Sequence, residues 1–496
     1  MFIGRQADSH KQSGIFGRST IRRQIAARRA CLASAGFAVM IALSGCFGGS
    51  SSSSGSGSDD GNDGGSGSGP DNGASNGTSP SISTELVSAS ISGDSATGSQ
   101  MLGPQYAGMV DTGPGESMDA SGDLIVMSGG FDNADGYEVS TGTLEVFRRD
   151  MGSEELDVDH VSISPTGQYH ESMSGFGLRP ALSADGRYVA FDSSGFSDVG
   201  SIYSQIYIRD MGEQETILVS RDQTTDDGGQ AGSTYPSISN DGSRVVFQSG
   251  ADLIDGGEHE ERPGPEVGTA SQIYLYDSDD DTLIRISVAA GSPQEPADDA
   301  SSYAAISGNG EYVVFESGAG DLAGSVDGEY SSIFLYNISD ESLELLSADE
   351  NGNPLEQDVR KPTIDDDGER VVFAGPDGLY LWERGSGTSV LMADGDPLVD
   401  GLDSAQDPAI SGDGRFVAYA RSRTGNDRVY RFDLENQAEP LRVSVAADGT
   451  APDSDSMHPV ISEDGSVIAF DSDATNLISG DHDHGTQMDV YRAVID

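Results

Sequence analysis

Side chains able to do chemistry are few in this chain, and they are scattered. Histidine occurs at 10, 160, 170, 259, 458, 482 and 484, and cysteine only at Cys31 and Cys46, too few for a disulfide scaffold. The tightest cluster of potential ligands is Asp481-His482-Asp483-His484, with Asp473 and Asp489 nearby in sequence. Imidazole and carboxylate together can hold a divalent cation. No glycine-bracketed ligand spacing accompanies them, so a solvated acidic loop is the plainer reading and the metal reading is weak. Asp279-Asp280-Asp281 lacks the twelve-residue calcium loop with its closing glutamate, and it reads as an acidic turn. Gly73-Ala74-Ser75-Asn76-Gly77 fits the G-x-S-x-G pattern but has no strand before it and no helix after it. His160, His170, His259 and His458 share no position in the repeat described below. On this reading the chain is not an enzyme. No catalytic residue is expected, and no cofactor beyond the weakly indicated divalent cation.

The elements that position these residues are set by composition and repetition. Across 496 residues, Lys plus Arg is 27 and Asp plus Glu is 83, a formal net charge of −56. Such a field repels phosphate and argues against nucleic acid as a partner. Hydrophobic residues are only 35% of the chain, which argues against a polytopic membrane protein.

The N-terminus reads as an address. Residues 1–29 carry Arg5, Lys11, Arg18, Arg22, Arg23, Arg28 and Arg29 against a single acid, Asp8. An apolar run from Ala30 to Leu43 follows, the length of a signal-peptide core and short for a membrane span. It ends in Leu43-Ser44-Gly45-Cys46, which resembles the lipobox of bacterial lipoproteins. The resemblance implies cleavage after residue 45 and a lipid anchor on Cys46. Phe47, rather than Asp, in the next position implies sorting to the outer membrane, facing the periplasm or the exterior. From Gly48 to Pro80, 22 of 33 residues are Gly or Ser, so no core can form there and a disordered tether is expected. The expected organisation is a signal peptide over 1–45, an acylated cysteine and tether over 46–80, and a folded domain over 81–496.

That domain repeats. Ser183-Ala184-Asp185-Gly186 precedes Arg-Tyr-Val-Ala-Phe, and Ser239-Asn240-Asp241-Gly242 precedes Ser-Arg-Val-Val-Phe. Equivalent phrases end at Gly310, Gly368, Gly414 and Gly465, and a divergent first copy at Gly122, so seven copies recur about every 57 residues. Within each copy a strand ending in Pro-x-Ile-Ser leads into the turn, and Asp-Gly or Asn-Gly supplies the positive φ of a tight hairpin. The regular recurrence of that Asp marks a turn residue, not a catalyst. A Val-Val-Phe strand follows, then one of the Gln272–Asp277 type, then one ending in Val-Ser or Leu-Ser. Four strands per copy without helices is the pattern of a β-propeller blade. The last copy lacks its fourth strand, whereas Thr84-Glu85-Leu86-Val87-Ser88 reads as an orphan fourth strand. The expected fold is therefore an all-β, seven-bladed propeller of four-stranded blades, closed by an N-terminal strand. Tyr207, Tyr274, Tyr276, Tyr336 and Tyr491 fall on the third strands and are expected to pack blade on blade, as is Trp382.

The phrase over 183–191 resembles the WD-like repeat of TolB-type propellers. The resemblance covers about residues 81–496 and implies the fold far more than the function. A non-enzymatic scaffold in the cell envelope, binding a protein or peptide as a monomer, is the leading expectation. The alternatives are a polysaccharide lyase or hydrolase-like propeller, and a metal- or salt-stabilised envelope protein.

Overall fold

A computed structural model describes residues 80–88 and most of 117–496, leaving out several intervals, the longest being 256–270, 394–405, 169–178 and 480–487. Among the described residues no helix is long and apolar enough to cross a membrane. The chain folds as a seven-bladed β-propeller, blades 1 to 7 running in chain order over 118–160, 181–218, 233–285, 301–345, 360–393, 406–442 and 456–495. Blade 3 is representative: Ser233–Ile238 nearest the axis, then Arg244–Ser249, Gln272–Asp277 and Thr282–Arg285 outward, all antiparallel. Blade 1 departs from the pattern. Its sheet is Leu124–Gly129, Glu145–Asp150 and Val158–His160, and its innermost strand shrinks to a bridge between Met118 and Ile125.

The seventh blade is completed from the other end of the chain, as expected. Ile82–Leu86 pairs antiparallel with Asp489–Ile495, from Ile82 opposite Ile495 to Leu86 opposite Tyr491. Ser88 seals the joint. Its buried hydroxyl accepts from Val490 N at 3.2 Å and donates to Asp489 at 2.7 Å. The same hydroxyl-to-backbone bond recurs at Ser162, Ser220, Ser287, Ser347 and Ser444, each taking the N–H of the neighbouring third strand. This explains the recurring Val-Ser and Leu-Ser: a buried N–H needs an acceptor, and the hydroxyl supplies one.

The turns differ from the expectation in one respect. All seven repeat glycines have positive φ, between 69° and 78°, but the Asp or Asn that precedes six of them does not. The acid works through its side chain. Ser183 Oγ donates to Asp185 at 2.7 Å and accepts from Tyr188 N at 2.9 Å, while Asp185 accepts from Arg187 N at 3.0 Å. Adjoining turns are tied into a closed circle of backbone bonds. Ala120 N donates to Ala184 O, Ala184 to Asn240, Asn240 to Gly308, Asn309 to Asp366, Asp366 to Gly412, Asp413 to Glu463, and Glu463 back to Ala120, all at 2.9–3.1 Å.

The core is divided among the blade interfaces. Val245 and Phe247 face blade 2 with Tyr274 and Tyr276, whereas Val246 faces blade 4. Both faces of each sheet are thus covered, which is why the second strands read as unbroken apolar runs. Tyr207, Tyr336, Tyr491 and Trp382 are buried in the interface clusters expected of them. Each fully buried ring contributes about 1.5–3 kcal/mol through surface removed from water.

Candidate functional site

The innermost strands of all seven blades line one cavity of about 150 Å³ on the axis. Its composition follows from a feature shared by five of those strands. Each slips register by a bulge just before its apolar end, between Thr234 and Ser237 in blade 3 and at the matching points of blades 4 to 7. The first bulged residue is Tyr235, Tyr303, Lys361, Asp407 or His458, and each has φ between 50° and 56°. None is glycine, so each carries a left-handed backbone at a cost of roughly 1 kcal/mol or more. Each stands seven residues before its turn glycine, and Arg179 holds that position in blade 2.

Arg179, Lys361, Asp407 and His458 line one end of the cavity, and Tyr235 and Tyr303 stand beside Arg179 in a belt of equivalent strand positions. The Arg179 guanidinium lies 3.9 Å from the centre of the Tyr235 ring, which meets Tyr303 edge-on at 5.0 Å. Lys361 Nζ contacts Asp407 directly, and His458 Nε2 lies 3.6 Å from the same carboxylate. One group therefore stacks a cation on aromatic rings and the other is ionic. Polar residues of the second strands hold it from behind. Asp192 accepts from Arg179 N at 2.6 Å, Gln248 from Tyr303 N at 3.2 Å, Glu316 from Lys361 N at 3.0 Å, and Asp471 contacts His458 Nδ1 at 3.0 Å.

Burial and neighbours set the charges. Burial opposes a charge on His458, but the Asp471 and Asp407 carboxylates outweigh it and raise its pKa to about 9. Burial raises Asp471 as well, against the pull of His458. Complete burial pushes Asp192 up to about 7, against the pull of Arg179. The turn end of the cavity is acidic, lined by Asp119, Asp366 and Glu463. Burial also raises Asp366, helped by the nearby charges of Glu463, Asp367 and Asp413, while Asn240 donates to it at 2.7 Å. Gly308 and Gly412 leave room for its carboxylate, because a Cβ at Gly308 would lie 2.2 Å from Asp366 Oδ1.

The site residues singled out from sequence fall elsewhere. Cys46 and the Asp481-His482-Asp483-His484 cluster lie outside the described residues, as do His10, His170 and His259. Among the described residues no group of three or more His, Cys, Asp or Glu side chains is arranged to hold a metal ion. His160 is buried in blade 1, stacked on Phe147 with ring centres 5.0 Å apart and paired with Glu145. Asp277 and Asp281 are engaged by Arg244 and Arg221, at 2.9 and 2.6 Å, as befits an acidic turn. His458 stands at the repeat position that Lys361 and Asp407 hold in their blades, a position where no other described blade carries a histidine. The signal was available as a position, seven residues before each turn glycine, where the copies diverge in chemistry.

No protein-family model matches the chain, and no curated protein matches it. Solved structures do. TolB from Acinetobacter baumannii is 16% identical with a TM-score of 0.35, the match covering 61% of this chain and 63% of that one. An oligogalacturonate lyase from Vibrio parahaemolyticus is 10% identical with a TM-score of 0.48, covering 84% and 97%. A puromycin-hydrolysing peptidase from Mycobacterium tuberculosis is 13% identical with a TM-score of 0.45, covering 75% of this chain and 53% of its own. The likeness is one of fold alone, a β-propeller. These structures correct the expectation that it is not an enzyme. A lyase and peptidases stand beside TolB proteins among its structural neighbours, so the non-enzymatic assignment is withdrawn. The physical reason is that blades bring together residues too far apart in sequence to be read as a constellation, as Lys361, Asp407 and His458 show.

Proposed function

We propose that this chain is a lipid-anchored envelope protein whose propeller binds a peptide segment of a protein partner at the belted end of its central cavity. The lipobox resemblance at Leu43 to Cys46 supports the anchor, and Phe47 supports outer-membrane sorting. The bulged belt carries the binding reading. Five non-glycine residues hold left-handed backbone at equivalent points, and such strain is retained where it positions side chains for a task. A site that sets aromatic rings beside ionic groups suits a polypeptide, which offers apolar side chains and polar groups together. A cavity of about 150 Å³ admits a group about as large as one side chain, so the segment lies across the rim and inserts one residue.

The test is site-specific photo-cross-linking in the native envelope. A photo-reactive amino acid at Tyr303 is expected to capture one protein, and capture is expected to fall when Lys361→Met is added. A reactive group at Ile284, on an outer strand, serves as the control. Equal capture from both positions would remove the proposal. Cys46→Ser is expected to release the protein from the membrane fraction, and retention there would remove the anchor.

A further inference from the structure

We propose that the rim of the cavity reads a carboxylate, an acidic side chain of the bound peptide that takes the place Asp407 holds between Lys361 and His458. This inference rests on the peptide-binding reading above and names the chemistry that the peptide must carry.

The first argument is the distribution of basic residues. The chain has 83 acidic residues against 27 basic ones, and only two lysines, Lys11 and Lys361. The lysine of the propeller is spent on the cavity wall, where it is 7% exposed. Arg179 and His458 line the same cavity. Three cationic side chains gather at the rim of a cavity whose turn end carries Asp119, Asp366 and Glu463, and a solvated acidic surface does not require them.

The second argument is preorganisation. Asp471 is fully buried and holds His458 Nδ1, leaving Nε2 to face Asp407. Asp192, likewise buried, holds Arg179. Cations fixed by buried partners bind an incoming anion without the cost of ordering themselves.

The third argument is Asp407 itself. Its carboxylate contacts Lys361 and lies 3.6 Å from His458, so it marks where a carboxylate sits well. It does so from a left-handed backbone, φ 56°, immediately before Pro408. An internal carboxylate on a strained residue is a competitor that a ligand carboxylate replaces like for like, giving the site selectivity by exchange.

The experiment uses the full chain in detergent and two pools of acetylated, amidated pentapeptides, randomised except for a central Glu in one and a central Gln in the other. Binding is read by fluorescence anisotropy. The Glu pool is expected to bind about tenfold more tightly than the Gln pool, the worth of one charge-assisted contact. Asp407→Asn, which tolerates the left-handed backbone, is expected to tighten binding of the Glu pool. Lys361→Met is expected to abolish the preference, and Arg179→Gln, on another blade, to reduce it should the lysine variant fail to fold. Equal binding of the two pools, or no gain in Asp407→Asn, removes the carboxylate while leaving the peptide reading in place. Binding of neither pool removes both.

Discussion

At the residue scale, two buried groups make the domain's stability depend on pH in calculable directions. His458 has a folded pKa of about 9, above its ordinary 6.5. The folded state holds that proton more tightly than the unfolded chain does. The stability it contributes is therefore complete below pH 6.5 and is lost as pH rises through 9. His458→Gln is expected to flatten the fall in melting temperature between pH 7 and 10, and an unchanged profile would refute the assignment. Asp192 also has a raised folded pKa, about 7 against 3.8. Its contribution is present below pH 3.8 and is lost as pH rises through 7, leaving a buried carboxylate charged. Asp192→Asn keeps the acceptor for Arg179 N and removes that charge. It is expected to stabilise by about 1–2 kcal/mol at pH 8 and by nothing near pH 4, measured by urea unfolding at both values.

At the scale of elements, the hairpin turns separate backbone strain from crowding. Gly310 and Gly465 have the same backbone, φ 72° and 70°. A Cβ at Gly310 meets nothing nearer than Ser239 Cβ at 3.4 Å, whereas at Gly465 it would lie 2.3 Å from the Phe416 ring. Gly310→Ala is expected to cost about 1–2 kcal/mol, the left-handed penalty alone. Gly465→Ala carries the same penalty and must also displace a buried ring, for a total of about 3 kcal/mol or more. Equal losses in denaturant melts would show that the ring yields freely. The glycine positions were legible in the sequence because the turn requires them locally. The bulges were not, since a bulge is a mismatch between two strands and appears only when both are paired.

At the scale of the whole molecule, closure and net charge dominate. Ile82–Leu86 is the outer strand of a blade whose other three strands come from the far end of the chain. Deleting residues 82–88 exposes the edge of Asp489–Ile495 and removes Ser88 from its buried bonds. The melting temperature of the entire ring is expected to fall by about 10 °C or more in one transition. Separate early loss of blade 7 would show that the ring is not cooperative. With a formal charge of −56, the chain also repels itself. Raising sodium chloride from 0.05 to 1 M is expected to raise the melting temperature, because screening acts on dispersed surface charge while the shielded Lys361–Asp407 contact changes little.

The sequence by itself determined the number of blades, the order of strands within them and the origin of the closing strand. Those features rest on patterns within a few residues: a turn glycine, an apolar run, a serine ending a strand. Only the tertiary structure decided the site. Arg179, Tyr235, Tyr303, Lys361, Asp407 and His458 span nearly three hundred residues of chain, and each is unremarkable where it stands. Ring closure places the inner strands side by side around one axis, and bulges give five of these six residues equivalent places on their strands. Proximity of that kind depends on long-range pairing and not on spacing along the chain.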